Sequence, residues 1–149
     1  MDVTTANSGI IAHGVNCQGV MGSGVALAIK NKFPAVYQLY SDLCEDTRAF
    51  SDTKVLLGRV QHCKINDELY VANCFTQDFY GKDGKQYASY DADRICIGNL
   101  FQAARILELP IYMPKIGCGL GGLEWGKVQK ILEENQNNQP NTNVFVCEI

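Results

Sequence analysis

No run of apolar residues in this chain reaches the length that crosses a bilayer as a helix, and its first residues hold neither a basic stretch nor an apolar one. A membrane partner and a secretory leader are therefore not expected. An excess of one charge is also missing. The 13 Lys and Arg stand against 16 Asp and Glu, a net charge of −3, which leaves no extended basic surface for nucleic acid. Histidine is scarce, with two in all, and neither His13 nor His62 stands in a C-x-x-C or H-x-x-x-H arrangement, so no metal site is expected. Cysteine, by contrast, is plentiful. The seven are odd in number, and Cys63, Cys74, Cys96 and Cys147 lie in apolar runs, where they read as small buried hydrophobes. That usage points to a reducing, intracellular and cytoplasmic setting rather than a disulfide framework. A length of 149 residues suits one domain with one core.

Along the chain, apolar and amphipathic stretches alternate. Residues 9–15 read as a short buried strand, 23–32 as a helix, and Pro34 opens a second helix over 35–44, followed by a polar connection over 45–53. Residues 54–64 alternate as a strand does, Asn66-Asp67 supplies a turn, and 69–75 form the hairpin partner. A Gly- and Lys-rich loop covers 81–86. From Tyr90 to Leu107, the residues Ile95, Ile97, Leu100, Phe101, Ala104 and Leu107 form a helical stripe, with Asp91 and Asp93 as first-turn acids. A strand at 109–114, a helix at 124–135 and a last apolar strand at 144–149 complete the series. The pattern predicts an α/β protein with a mixed sheet covered on both faces, and ligands in such sheets bind beyond the carboxyl ends of the strands.

Two glycine-rich segments fall at those ends. Met21-Gly22-Ser23-Gly24-Val25 and Lys115-Ile116-Gly117-Cys118-Gly119-Leu120-Gly121-Gly122 each follow an apolar run and precede a helical stretch. Glycine lets backbone N–H groups approach a ligand closely, and a helix beginning just after adds the positive end of its dipole. Two such loops predict a diphosphate held from both sides.

Taken together, His13-Gly-Val-Asn16-Cys-Gln18-Gly-Val-Met-Gly22-Ser-Gly24-Val-Ala26, then Phe33-Pro34, Leu57-Gly58 and Pro114-Lys-Ile-Gly117-Cys-Gly119-Leu-Gly121-Gly-Leu-Glu-Trp125, closely resemble the macrodomain family over nearly the whole chain. The likeness is greatest to the branch holding the fungal ADP-ribose-1″-phosphate phosphatase and the terminal ADP-ribose protein glycohydrolase. Val71-Ala-Asn-Cys-Phe75-Thr76 is similar to a segment of the phosphatase. The resemblance implies a three-layer α/β/α fold with ADP-ribose across its top and the diphosphate between Gly22–Val25 and Lys115–Gly121. The family's usual first strand has no counterpart before residue 9, where Asp2 and Val3 fall near the place of the family's adenine-binding aspartate.

The resemblance also places His13 and Asn16 beside the distal ribose, as the catalytic pair. His13, which titrates near neutrality when unperturbed, is the expected general acid or phosphate-facing cation, and Asn16 offers a donor and an acceptor to ribose hydroxyls. Gln18 is placed in the same loop, and Phe75 with Tyr80 over the distal ribose. Trp125 and Phe145 are aromatic candidates for adenine or for the core. Cys118, at a helix start, is a nucleophile candidate ranked below a backbone role, because no base adjoins it. The glycohydrolase pattern of a strand-end lysine and an aspartate after Gly-Cys-Gly-Leu is not met, since Gly121 stands at the second place and only Lys82 or Lys85 is near the first. Three functions remain in view: hydrolysis of ADP-ribose 1″-phosphate to ADP-ribose and phosphate, removal of ADP-ribose from protein or nucleic acid, and non-catalytic reading of ADP-ribose. None requires a cofactor.

Overall fold

A computed structural model describes residues 2–147. After a 3-10 turn at Val3–Thr5 come β1 (Gly9–Asn16), α1 (Gly24–Lys32), α2 (Pro34–Arg48), a second 3-10 turn (Thr53–Leu56), β2 (Val60–Lys64) and β3 (Leu69–Gln77). Then follow α3 (Tyr90–Leu107), β4 (Ile111–Met113), α4 (Trp125–Asn138) and β5 (Val144–Val146). The five strands form one sheet in the order β2-β3-β1-β4-β5. β1 runs parallel to β3 and β4, β4 parallel to β5, and β2 antiparallel to β3, so the sheet is mixed as expected.

Helices cover both faces. Ile10 and Ala12 of β1 pack with Ile97, Leu100 and Ala104 of α3 and Val128 and Ile131 of α4. Ile11 points the other way, to Ile29 of α1 and Val36 of α2, and Val15 joins Tyr40 and Cys44 of α2. This two-sided burial explains why β1 reads as an almost continuous apolar run: a central parallel strand has no solvent face. His13, on the same face as Ile11 and Val15, is the exception.

Local chemistry sets the element ends. Pro34 lacks the N–H that would continue α1 and instead occupies the first turn of α2, with Phe33 between the two helices. The Ser89 hydroxyl accepts from Ala92 N–H at 3.2 Å and starts α3. Several expectations are corrected here. α2 runs to Arg48, through part of the expected connection. Residues 54–59 are not strand: Asp52 caps the 3-10 turn by accepting from Lys54 N–H at 2.9 Å, and β2 begins only at Val60. Ile95, expected on the buried stripe of α3, is 56% exposed, while Asp93 takes a place on the buried face. The last strand ends at Val146, and the predicted residues 148 and 149 lie outside the described residues.

Candidate functional site: a cleft between two glycine loops

A cleft of about 930 Å³ opens where β1, β3 and β4 end. Its walls are the first loop, with Gly22, Ser23, Gly24 and Val25, and the second, with every residue from Lys115 to Gly121. His13 and Asn16 of β1 and Thr76 and Gln77 of β3 lie at its base, Tyr80, Gly81 and Lys82 at its lip, and Cys147 beside it.

Both loops present unused backbone donors. Among the described residues, no acceptor serves the N–H of Gly22, Ser23, Gly24 or Val25, nor that of Gly117, Gly119, Leu120 or Gly121. Ser23 precedes α1 without making a side-chain cap, so the helix's first donors stay free. The second loop is folded on itself through Cys118 N–H to Lys115 O and Leu123 N–H to Gly117 O, each 3.0 Å. Its tight return needs glycine at Gly121, where a methyl group would lie 2.5 Å from the Gly117 carbonyl oxygen. Such paired rows of free N–H groups, one at a helix start, suit phosphate oxygens.

Asn16 has a different task from the one expected. Its Oδ1 accepts from Gln18 N–H at 2.9 Å, Val20 N–H at 3.4 Å and the Tyr40 hydroxyl at 2.8 Å, and its Nδ2 donates to Val20 O at 2.8 Å. The amide is committed to shaping the first loop and leaves little capacity for a ribose. Gln18 is also occupied, donating to the Asp78 carboxylate at 3.0 Å and carbonyl at 3.2 Å, and it is not part of the cleft wall.

His13 is buried, with Nε2 2.6 Å from Asn73 Oδ1. Asn73 Nδ2 in turn donates to Gln61 Oε1 at 3.1 Å, so the Asn73 oxygen faces the ring and the network assigns the proton to Nε2. Nδ1 then carries a lone pair and has no partner. Burial pushes the imidazole down to about 4, against the weaker opposing effect of Asn73. The ring is neutral at pH 7, and the expected acid or cationic role is replaced by that of a fixed hydrogen-bond acceptor.

Phe75 does not reach the cleft: it is fully buried with its ring 5.8 Å from that of Tyr40. Tyr80, from the same stretch, does. Cys118 lines the cleft, but burial and the nearby Asp93 push its thiol up to about 11, the reverse of what a nucleophile needs. Phe145 stacks on Tyr112 at 5.0 Å and Trp125 packs on the α3–α4 core, so neither enters the wall. Asp2 and Val3 are likewise outside it. Val3 is buried in the cluster that includes Cys147, and Asp2 caps the first 3-10 turn through Thr4 N–H and Oγ1, both at 2.9 Å. Those two bonds hold the Asp2 carboxyl below its usual range.

Tyr40 and Asp93 are not expected at the site from the sequence, and Asn73 and Thr76 are expected only as members of the segment Val71–Thr76, with no role. Only Asp93 left a usable signal, since it stands four, seven and eleven residues before Ile97, Leu100 and Ala104 and so shares their face. Among the described residues no cluster of three or more His, Cys, Asp or Glu gathers to hold a metal, and no helix is long and apolar enough to cross a membrane.

A mixed sheet between two helical layers, with paired amide-lined loops at its strand ends, defines an α/β domain built to hold a phosphorylated ligand. Comparison with known proteins makes this specific. The Macro domain family model matches residues 12–132, and the chain belongs to that family. An ADP-ribose 1″-phosphate phosphatase of Debaryomyces hansenii is 29% identical, with 93% of this chain and 88% of that protein aligned. A DNA ADP-ribosyl glycohydrolase of Thermus aquaticus is 30% identical over 93% of this chain but only 37% of its own length. The solved macrodomain of Thermus aquaticus DarG superposes with a TM-score of 0.79 at 26% identity, covering 100% of this chain and 95% of that one.

Proposed function

We propose that this chain acts as a single macrodomain that binds ADP-ribose in the cleft and hydrolyses ADP-ribose 1″-phosphate to ADP-ribose and phosphate. The observation that carries the reading is the pair of facing loops whose N–H groups have no acceptor among the described residues, at the ends of adjacent strands. They receive the diphosphate without reorganising, and an aligned donor at a developing oxyanion is worth about 100- to 1,000-fold in rate. In the reaction, water attacks phosphorus and the C1″ oxygen departs with ADP-ribose. His13 orients a hydroxyl or water through its Nδ1 lone pair, Asn16 keeps the first loop in shape, and the adenine reaches past the cleft wall, where Asp2, ionised, takes its amino group with Val3 beside it. Alignment with the Debaryomyces hansenii phosphatase over most of both chains supports this choice. Seven unpaired thiols suit the reducing, cytoplasmic setting that belongs to the same reading.

A second reading is removal of ADP-ribose from a modified macromolecule. Lys82 favours it, because it borders the cleft beside Tyr80 and Gly81, where an acceptor attached at the distal ribose would emerge. Phosphate release from ADP-ribose 1″-phosphate, measured beside calorimetric titration with ADP-ribose, tests both. The expected result is turnover that falls at least about 100-fold in His13→Ala while ADP-ribose still binds. Binding with no phosphate release moves the assignment to ADP-ribosylated protein or nucleic acid, read by release of free ADP-ribose, or to a non-catalytic reader if nothing is released. Absence of binding overturns every reading of the cleft.

A further inference from the structure

Beneath the second glycine loop lies a carboxyl group that the proposed reaction does not use. Asp93 is in the first turn of α3, on the face turned to the core, and it is fully buried. Neither of its oxygens has a hydrogen-bond partner among the described residues. Both press against the loop: a methyl group on the Gly117 α-carbon would lie 3.1 and 3.2 Å from them. Gly117 itself lines the cleft, has φ 79, and keeps a free N–H. A single layer of backbone thus separates a buried acid from the place where an anionic ligand binds.

The surroundings of Asp93 offer it no counter-charge. Cys74 of β3 and Cys118 of the loop are the titratable groups that feel it, and the charge on Asp93 raises both thiols. Lys115 acts on Cys118, not on Asp93, and the apolar Leu123 packs against the same Gly117 that Asp93 faces. Burial alone lifts the carboxyl to about 7, so it is half-charged at neutral pH.

We propose that Asp93 is a positioning residue for the second loop, and that an anionic ligand enters the cleft with uptake of a proton by its carboxyl. When ionised, the carboxylate draws the free N–H of Gly117 towards the core and repels a phosphate across the peptide layer. When protonated, it releases the amide to the ligand. A diphosphate bound above Gly117 adds a second negative charge over the same layer and so favours the protonated form, and linkage makes the two effects equal in free energy. The ligand half of this proposal rests on the diphosphate reading above.

Two measurements test it. In the unliganded protein, the amide resonances of Gly117 and Cys118 are followed from about pH 5 to 9 in wild type and Asp93→Asn. A transition with a midpoint near 7 that is absent from the variant supports coupling of the carboxyl to the loop, and flat wild-type resonances overturn it whatever the cleft binds. ADP-ribose is then titrated by calorimetry in buffers of differing protonation enthalpy. The expected result is net proton uptake by wild type and a dissociation constant that weakens roughly tenfold from pH 6 to 8, against none and less than about twofold in Asp93→Asn. Equal uptake in both proteins overturns the proposal and leaves the cleft reading standing. Titrating amides with no ADP-ribose binding do the opposite, overturning the reading and supporting the loop coupling.

Discussion

The two glycine loops face one cleft from floors of opposite chemistry. Under the first, most polar groups close on one another: Asn16 serves Gln18, Val20 and Tyr40, and His13 is held through Nε2 by Asn73, itself held by Gln61, with only His13 Nδ1 left open among the described residues. Under the second, the floor is apolar except for the Asp93 carboxyl and the Thr76 hydroxyl, neither of which has a partner among the described residues. A buried polar group whose bonds are made fixes the backbone around it, whereas one left open keeps its protonation state adjustable. The contrast extends to pH. His13, displaced from 6.5 to about 4, binds its proton more readily in the unfolded chain, so its contribution to stability is lost as pH falls from 6.5 to 4. Asp93, displaced from 3.8 to about 7, binds its proton more readily in the folded protein, so its contribution is lost as pH rises from 3.8 to 7. Between about pH 4 and 6.5 the two slopes oppose each other.

Breaking one side of this balance gives the largest effect. Asp93→Leu removes the acid while keeping the branched outline of the side chain, and its stability relative to wild type should rise with pH across 4 to 7, by about 4 kcal/mol in all between pH 4 and 8. Denaturant unfolding at several pH values measures this, and parallel curves for the two proteins would show that Asp93 titrates normally. Next in size, Gly121→Ala forces a methyl group against the Gly117 carbonyl and should destabilise by about 3 kcal/mol, with ADP-ribose binding lost. Gly24→Ala in the first loop is the matched control, since no atom lies within 4 Å of its added methyl group and only its φ of 59 opposes it. It should lose about 1 kcal/mol, and equal melting-point losses in the two variants would deny the difference in packing.

A smaller change probes the polar floor. Asn16→Ala leaves the amides of Gln18 and Val20 without their shared acceptor and should destabilise by about 2 kcal/mol, with weaker ADP-ribose binding and no new pH dependence between 6 and 8. Calorimetry at those two pH values decides it. Cys118→Ser should do least, changing turnover by less than about twofold, because a thiol pushed up to about 11 supplies no thiolate. Loss of phosphate release in that variant would restore the cysteine to the mechanism.

Much of the architecture was legible because local and global signals agreed. The bounds of α3 match the stripe read over residues 90–107, and the glycine loops announce themselves by composition. The expected strand over residues 54–64 begins late because Asp52 starts a 3-10 turn that buries Thr53 and Leu56, and Gly58 at φ 88 turns the chain before Val60. At the site, residue type was a better guide to location than to role. His13 and Asn16 are at the cleft as expected, yet their partners, Asn73 and Tyr40, lie 60 and 24 residues away in the chain, and those partners set what each can do.

Sequence alone determined the alternation of elements, the two amide-rich loops and the family, because each is written in short-range pattern or in motifs of contiguous residues. Tertiary structure alone decided that His13 is neutral, that Asn16 builds a loop, that Phe75 is core while Tyr80 meets the cleft, and that Asp93 lies unpaired under Gly117. Hydrogen bonding and desolvation depend on what the fold brings within a few ångströms, and no spacing along the chain encodes that distance.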